Sequence, residues 1–183
     1  RLLHLSRSIA IDKNPIALHR VIAGQKILVG NGKRYLNHPN LAEHLAKQVG
    51  QEIANAVAGL DLIFILAGMG GVTGSSISPI VAKTLSDLSI LTLGCAITPF
   101  NFEGHRCGQI ALSGTRALGN CVTTILPIAN EIVAQAEGEN ALAASVLDQI
   151  DLSFEQVYRN ITIPAAETGL IGVDFEDVRV VLN

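Results

Sequence analysis

Clusters of lysine and arginine are missing from this chain. Its 13 basic residues are outnumbered by 16 acidic ones, for a formal net charge of −3. The sequence therefore offers no basic patch of the kind that binds nucleic acid. No apolar run approaches the roughly 20 residues of a membrane span, and no signal peptide is visible, so direct membrane insertion is not expected. The cysteines Cys95, Cys107 and Cys121 are odd in number and lack metal-ligand spacing. They read as reduced thiols of a cytoplasmic protein. The five histidines are scattered and form no ligand pair, so no metal site is expected. Repeats and low-complexity segments are also lacking. What remains is a chain of 183 residues, 49% hydrophobic and 16% charged. That is one globular domain with enough apolar material for a real core. It begins at Arg1 rather than Met, as a fragment or a processed chain would.

Strand and helix patterns alternate. Arg7 to Ile11 reads as a strand. Pro39 to Ala58 reads as a helix, because Leu41, Leu45, Val49, Ile53 and Val57 recur every four residues, with Pro39 near its start and Gly59 past its end. Glu43 and Lys47 form a surface pair on it. Strands follow at Leu62–Ala67, Ile90–Ile97 and Val122–Leu126, with helices at Ser78–Leu88 and about Gln109–Leu118. A longer helix is predicted from Glu139 to Ile161 on the stripe Leu142, Val146, Ile150, Phe154, Tyr158 and Ile161. This order predicts an α/β fold, a Rossmann-like parallel sheet with helices on both faces. Ligands in such sheets bind at the carboxyl ends of strands.

Two loops leave strands at that end. Leu66-Ala-Gly-Met-Gly-Gly-Val-Thr-Gly-Ser-Ser76 joins an apolar strand to a helix that opens with Pro79. Its glycines let backbone N–H groups approach an anion, and the helix N-terminus favours negative charge. It is not a P-loop, since no Lys-Ser/Thr follows. A tight strand-to-helix turn is the other reading of these glycines. The second loop is Thr98-Pro-Phe-Asn-Phe-Glu-Gly104. Both are expected to line one crevice. A third segment, Gly169-Leu-Ile-Gly-Val-Asp-Phe-Glu-Asp-Val-Arg179, carries two acids three residues apart. Such acids can orient water, or can simply stabilise a helix N-terminus.

The three segments, in this order and spacing, resemble FtsZ, the bacterial relative of tubulin, from about Ile9 to Asn183. The family has Gly-Gly-Gly-Thr-Gly-Ser/Thr-Gly, Pro-Phe-Asn-Phe-Glu-Gly and Asn-x-Asp-Phe-x-Asp-Val-Arg. The resemblance implies GTP or GDP as ligand, with Mg as a companion ion. It places Gly70, Gly71, Thr73, Gly74 and Ser75 on the phosphates and Glu103 on the ribose. It places Asp151 on the guanine edge, where a carboxylate accepts from N1–H and N2–H₂; a solvated helix residue is the other reading of Asp151. It makes Asp174 and Asp177 the acids that enter the next subunit's pocket and polarise the attacking water. The 139–161 helix becomes the central helix of the family.

The departures fall mostly in the pocket. Val72 and Ser76 replace glycines, and a side chain at 72 clashes if the backbone there needs a positive φ. Cys107 stands where an arginine usually reaches the phosphates, with Arg106 one place earlier. Ile128 replaces an asparagine, Leu147 an aromatic and Gly172 an asparagine. Asp12 and Asn14 fall where the family has Asn and Asp. Lys33-Arg-Tyr-Leu-Asn-His-Pro39 stands for a longer glycine-rich loop. The whole chain, 1–183, is then expected to be an FtsZ-like GTP-binding domain that lacks the first phosphate loop and ends after the third motif.

The leading expectation is a GTP-binding, GTP-hydrolysing, filament-forming cytoskeletal protein acting in cell division, assembling head to tail with itself or with an intact FtsZ-like protein. Alone, it is expected to be slow or inactive. One alternative is a degenerate subunit that binds or caps an intact partner's filaments. Another is an unrelated metabolic nucleotide-binding enzyme.

Overall fold

The computed structural model describes residues 7–30, 39–138, 142–166 and 175–182, with 39–47, 164–166 and 175–178 described by backbone alone. The elements run β1 (Ile9–Asp12), α1 (Pro15–Arg20), β2 (Gln25–Leu28), α2 (Pro39–Ala56), β3 (Leu62–Gly68), a π turn (Thr73–Ile77) leading into α3 (Ser78–Asp87), β4 (Leu91–Thr98), a 3-10 turn (Asn101–Glu103), α4 (His105–Gly119), β5 (Thr124–Ala129), α5 (Asn130–Glu137), α6 (Ala143–Ala166) and α7 (Phe175–Leu182). Every strand pair is parallel, as the alternation predicts. The ladders form two sheets, β1-β2 and β3-β4-β5.

β4 is the central strand of the larger sheet, and its first six residues are all buried. A strand covered on both faces is near-continuously apolar for that reason. Phe64 pairs in register with Leu93 and faces α6, where its ring lies 6.3 Å from Phe154, edge to face, and 5.2 Å from Tyr158. The next residue along β4, Gly94, faces the other way. There Leu118 of α4 and Val122 crowd it so closely that a Cβ would lie 3.4 Å and 3.1 Å from them. Helices thus cover both faces. The main core joins Ile27, Val29, Val49 and Ile53 to Ile65, Ala67, Val81, Leu85 and Leu118, so β2, α2, α3, α4 and the β3 sheet share one apolar layer.

Several boundaries differ from the sequence reading. β1 sits two residues later at its start, and β2 and α1 were not expected, because short strands and a six-residue helix give no periodicity to read. Asn14 caps α1, accepting from the Ile16 N–H at 3.0 Å. β5 begins two residues late and runs through Pro127. That is tolerated because β5 is an edge strand of its sheet. α4 begins at His105, not Gln109. α5 was not expected. The long helix is observed from Ala143 to Ala166, and residues 139–141 lie outside the described ones. Leu142, placed on its apolar stripe, is 72% exposed, whereas Val146 and Ile150 are buried. The side chains of Glu43 and Lys47 fall outside the described set.

Burial pushes the Cys95 thiol up from an ordinary 9.0 to about 11. The folded state then keeps a proton that the unfolded chain releases. The sign follows directly: stability is fully present below pH 9 and declines as pH rises toward 11, by about 2 kcal/mol from this group. Urea unfolding at pH 8 and pH 10.5 is expected to show that decline in the wild type and a shallower one in Cys95→Ala.

Candidate functional site

The Gly-rich loop is built by close backbone contacts. β3 ends at Gly68, and the Met69 N–H extends the ladder by donating to the Ile97 carbonyl at 2.7 Å. Gly70 then turns with φ +97°. A Cβ there would lie 2.4 Å from Cys107 Sγ and 3.4 Å from Pro99 Cγ. This contact joins the two loops: the first packs directly on the start of α4 and on the second. Gly74 lies against the carbonyl of Gly68, with 1.9 Å between that oxygen and any Cβ at position 74. Gly114 of α4 supports the loop from below, leaving only 2.6 Å between its would-be Cβ and that of Ser75.

Hydrogen bonds finish the loop. The buried Ser75 hydroxyl accepts from the Gly70 N–H at 2.9 Å, and the Ser75 N–H donates to the Gly71 carbonyl at 3.0 Å. Ser75 therefore shapes the loop with its side chain. The backbone around Gly71–Gly74 is the start of a helix, whose first N–H groups have no intrahelical acceptor. Gly71 has open space where a Cβ would go. Val72 is helical, with φ −65° and ψ −43°. The clash considered for a valine at this position does not arise, because no positive φ is required there. Thr73 Oγ1 donates to Asp12 Oδ1 at 3.3 Å, across 61 positions of sequence. This bond links the β1-β2 sheet to the loop after β3.

The second loop is a one-turn helix held by Glu103, whose Oε1 accepts from the Phe100 N–H at 2.8 Å. Its other oxygen accepts from the Cys107 thiol at 3.8 Å. Burial first, then the Glu103 charge and hydrogen bond, raise the Cys107 pKa above its ordinary value. The thiol is therefore protonated near neutral pH and is no nucleophile. Glu103 is exposed, and a carboxylate has acceptor capacity beyond these two bonds. Glu131 of α5 ties the loop down by accepting from the Asn101 N–H at 3.2 Å. Phe100 and Phe102 stack with centroids 4.9 Å apart, and Phe102 is 76% exposed.

Gly70, Gly71, Thr73, Gly74, Ser75 and Glu103 are thus brought to one end of the sheet. Asp151 is exposed on α6, and among the described residues no hydrogen bond joins it to either loop. Asp174 lies outside the described residues. Asp177 belongs to α7, at a position described by backbone alone. The Lys33–His38 segment also lies outside. Among the described residues, no group of three His, Cys, Asp or Glu side chains converges as metal ligands.

Two features escaped the sequence reading. A groove of about 430 Å³ runs between Phe100 and Phe102, Glu131 and Gln135 of α5, and Ala143 and Val146 of α6. It borders the second loop, not the Gly-rich one. Asn130, at the carboxyl end of β5, is 5% exposed, and its Oδ1 has no partner among the described residues. A polar residue directly after a strand of this sheet was the signal available for it.

Residues 3–137 match the Tubulin/FtsZ family, GTPase domain. The chain is 31% identical over 184 residues to cell division protein FtsZ 1 of Pyrococcus horikoshii, covering 97% of this chain and 49% of that protein. It is 34% identical over 164 residues to cell division protein FtsZ of Caulobacter vibrioides, covering 90% and 32%. It therefore spans a third to a half of these curated relatives. An FtsZ dimer from M. jannaschii superposes with a TM-score of 0.82 at 29% identity, over 97% of this chain and 52% of that one. CetZ2 from Haloferax volcanii, solved as a GTPγS-bound protofilament, has a TM-score of 0.74 at 19% identity, over 94% and 52%; that likeness is one of fold. Extended over most of the residues that build both loops, these matches establish that the chain belongs to the Tubulin/FtsZ family, within its GTPase domain.

Proposed function

We propose that the chain binds a guanine nucleotide in the crevice at the carboxyl ends of β3 and β4 and turns it over within a head-to-tail assembly. The observation that carries this reading is the packing of Gly70 on Cys107 and Pro99, which puts the Gly-rich loop beside the loop of Glu103 in a chain of this family. Helix-start N–H groups over Gly71, Thr73 and Gly74 would receive the phosphates, with Ser75 holding the loop's shape. Glu103 would accept from the ribose and Asp151 from the guanine edge. Asp174 and Asp177 would serve the pocket of the next subunit, orienting water for in-line attack, and magnesium would accompany the phosphates. CetZ2, a neighbour in fold, was solved bound to GTPγS in a protofilament, which is in keeping with both the ligand and the assembly proposed for this chain. The work of such a filament would be in cell division, in the cytoplasm.

A second reading is a degenerate subunit that caps an intact partner. One observation favours it: at the position where the resemblance implies an arginine, a protonated thiol, Cys107, packs against Gly70 of the loop. Isothermal titration with GTP and ATP tests the first reading. GTP is expected to bind and ATP not; equal binding, or tight ATP binding, contradicts the guanine assignment. Phosphate release by the chain alone is expected to stay below about 1 per second, the low end of ordinary enzyme turnover.

A further inference from the structure

We propose that Asp12 is the resident anion of the Gly-rich loop, so that phosphate groups bind only by displacing its carboxylate from Thr73. This rests on the nucleotide reading above and adds the residue that sets its affinity. Asp12 ends β1 and is half-buried. Its Oδ1 accepts from the Thr73 hydroxyl at 3.3 Å and from the Asn14 N–H at 2.8 Å. Thr73 opens the helical stretch that continues through α3 to Asp87. A carboxylate there takes the place at a helix N-terminus where negative charge is favoured, and it engages the side-chain hydroxyl that an incoming phosphate oxygen would use. It also repels that phosphate. Among the described residues the two sheets share no ladder, so this bond is a polar clasp between them at the mouth of the crevice. Ligand entry must open it. Asp12 is a positioning residue in this account: it acts on the ligand through Thr73 and through its charge.

The charge is what separates this role from a structural one. Asp12→Asn keeps an oxygen that can accept from both Thr73 and Asn14, and so keeps the clasp, but removes the anion. In titrations at constant salt, Asp12→Asn is expected to raise affinity for GTP by about tenfold, close to the water-screened lower limit for removing one unit charge a few ångströms from the phosphates. The gain is expected to be smaller for GDP, absent for guanosine, reduced by added salt, and smaller in a Thr73→Val background. Inorganic pyrophosphate, which lacks a base, is the second probe. A gain for pyrophosphate without preference for guanine over adenine nucleotides supports the displacement and overturns the guanine reading. An equal gain for guanosine and GTP, a loss of nucleotide affinity in Asp12→Asn, or no response to pyrophosphate or nucleotide in any variant overturns the displacement itself.

Discussion

Gly74→Ala is expected to abolish nucleotide binding and to lower the melting temperature by about 6–12 °C, from a loss of about 3 kcal/mol. A Cβ at position 74 would lie 1.9 Å from the Gly68 oxygen and 2.7 Å from its carbonyl carbon. These are backbone atoms at the end of β3, in a ladder with Gly68 opposite Ile97. They cannot rotate aside as a side chain would. The loop must lift from the strand end, and that movement disrupts the Gly70 to Ser75 bond and the contact with Gly114. Gly71→Ala is the control. It sits three residues away in the same loop, with nothing within 4 Å of its Cβ, and its melting temperature is expected to stay near that of the wild type. Thermal unfolding of both variants, followed by titration with GTP, checks the pair. Equal losses in the two variants would show that the loop is sensitive to any side chain, not to the approach at Gly74.

The second large effect lies in the core beneath the loop. Leu118 is fully buried at the last turn of α4, and its Cδ2 comes within 3.4 Å of the Cβ position of Gly94 in the central strand. Leu118→Ala is expected to cost about 3 kcal/mol, a lost transfer energy plus a cavity that the rigid sheet does not fill. Leu112, on the same helix, is 46% exposed, and Leu112→Ala should stay within about 0.5 kcal/mol of wild type. Because a Cβ on Gly94 would press on Leu118 and Val122, Gly94→Ala should cost less in the Leu118→Ala background than alone. Urea unfolding of the single and double variants measures that coupling.

Much of the architecture was legible beforehand. The long apolar strands β3 and β4 and the four-residue repeat of α2 stand out because their patterns are long and strongly periodic. β2, α1 and α5 were not, because four to eight residues carry too little pattern to separate strand, helix and turn. The predicted crevice followed from the order of elements alone, since two loops that leave neighbouring parallel strands at the same end must come together. The alarm over Val72 arose from assuming a positive φ that the loop does not use; its helical dihedrals make valine acceptable there.

By itself, the sequence determined the family, the parallel α/β order and the loops that carry the candidate site, because these depend on local composition and on spacing along the chain. Only the tertiary structure decided which glycines are irreplaceable and what the loop residues bond to. Gly74 and Gly114 are constrained by atoms six and 39 positions away, Gly68 and Ser75. The Thr73 hydroxyl finds Asp12 across 61 positions, and the half-buried Cys107 meets Gly70. No local pattern encodes such meetings. They arise because close packing of sheet, loop and helix fixes distances to tenths of an ångström, and at that scale a single Cβ or one carboxylate determines what the crevice can hold.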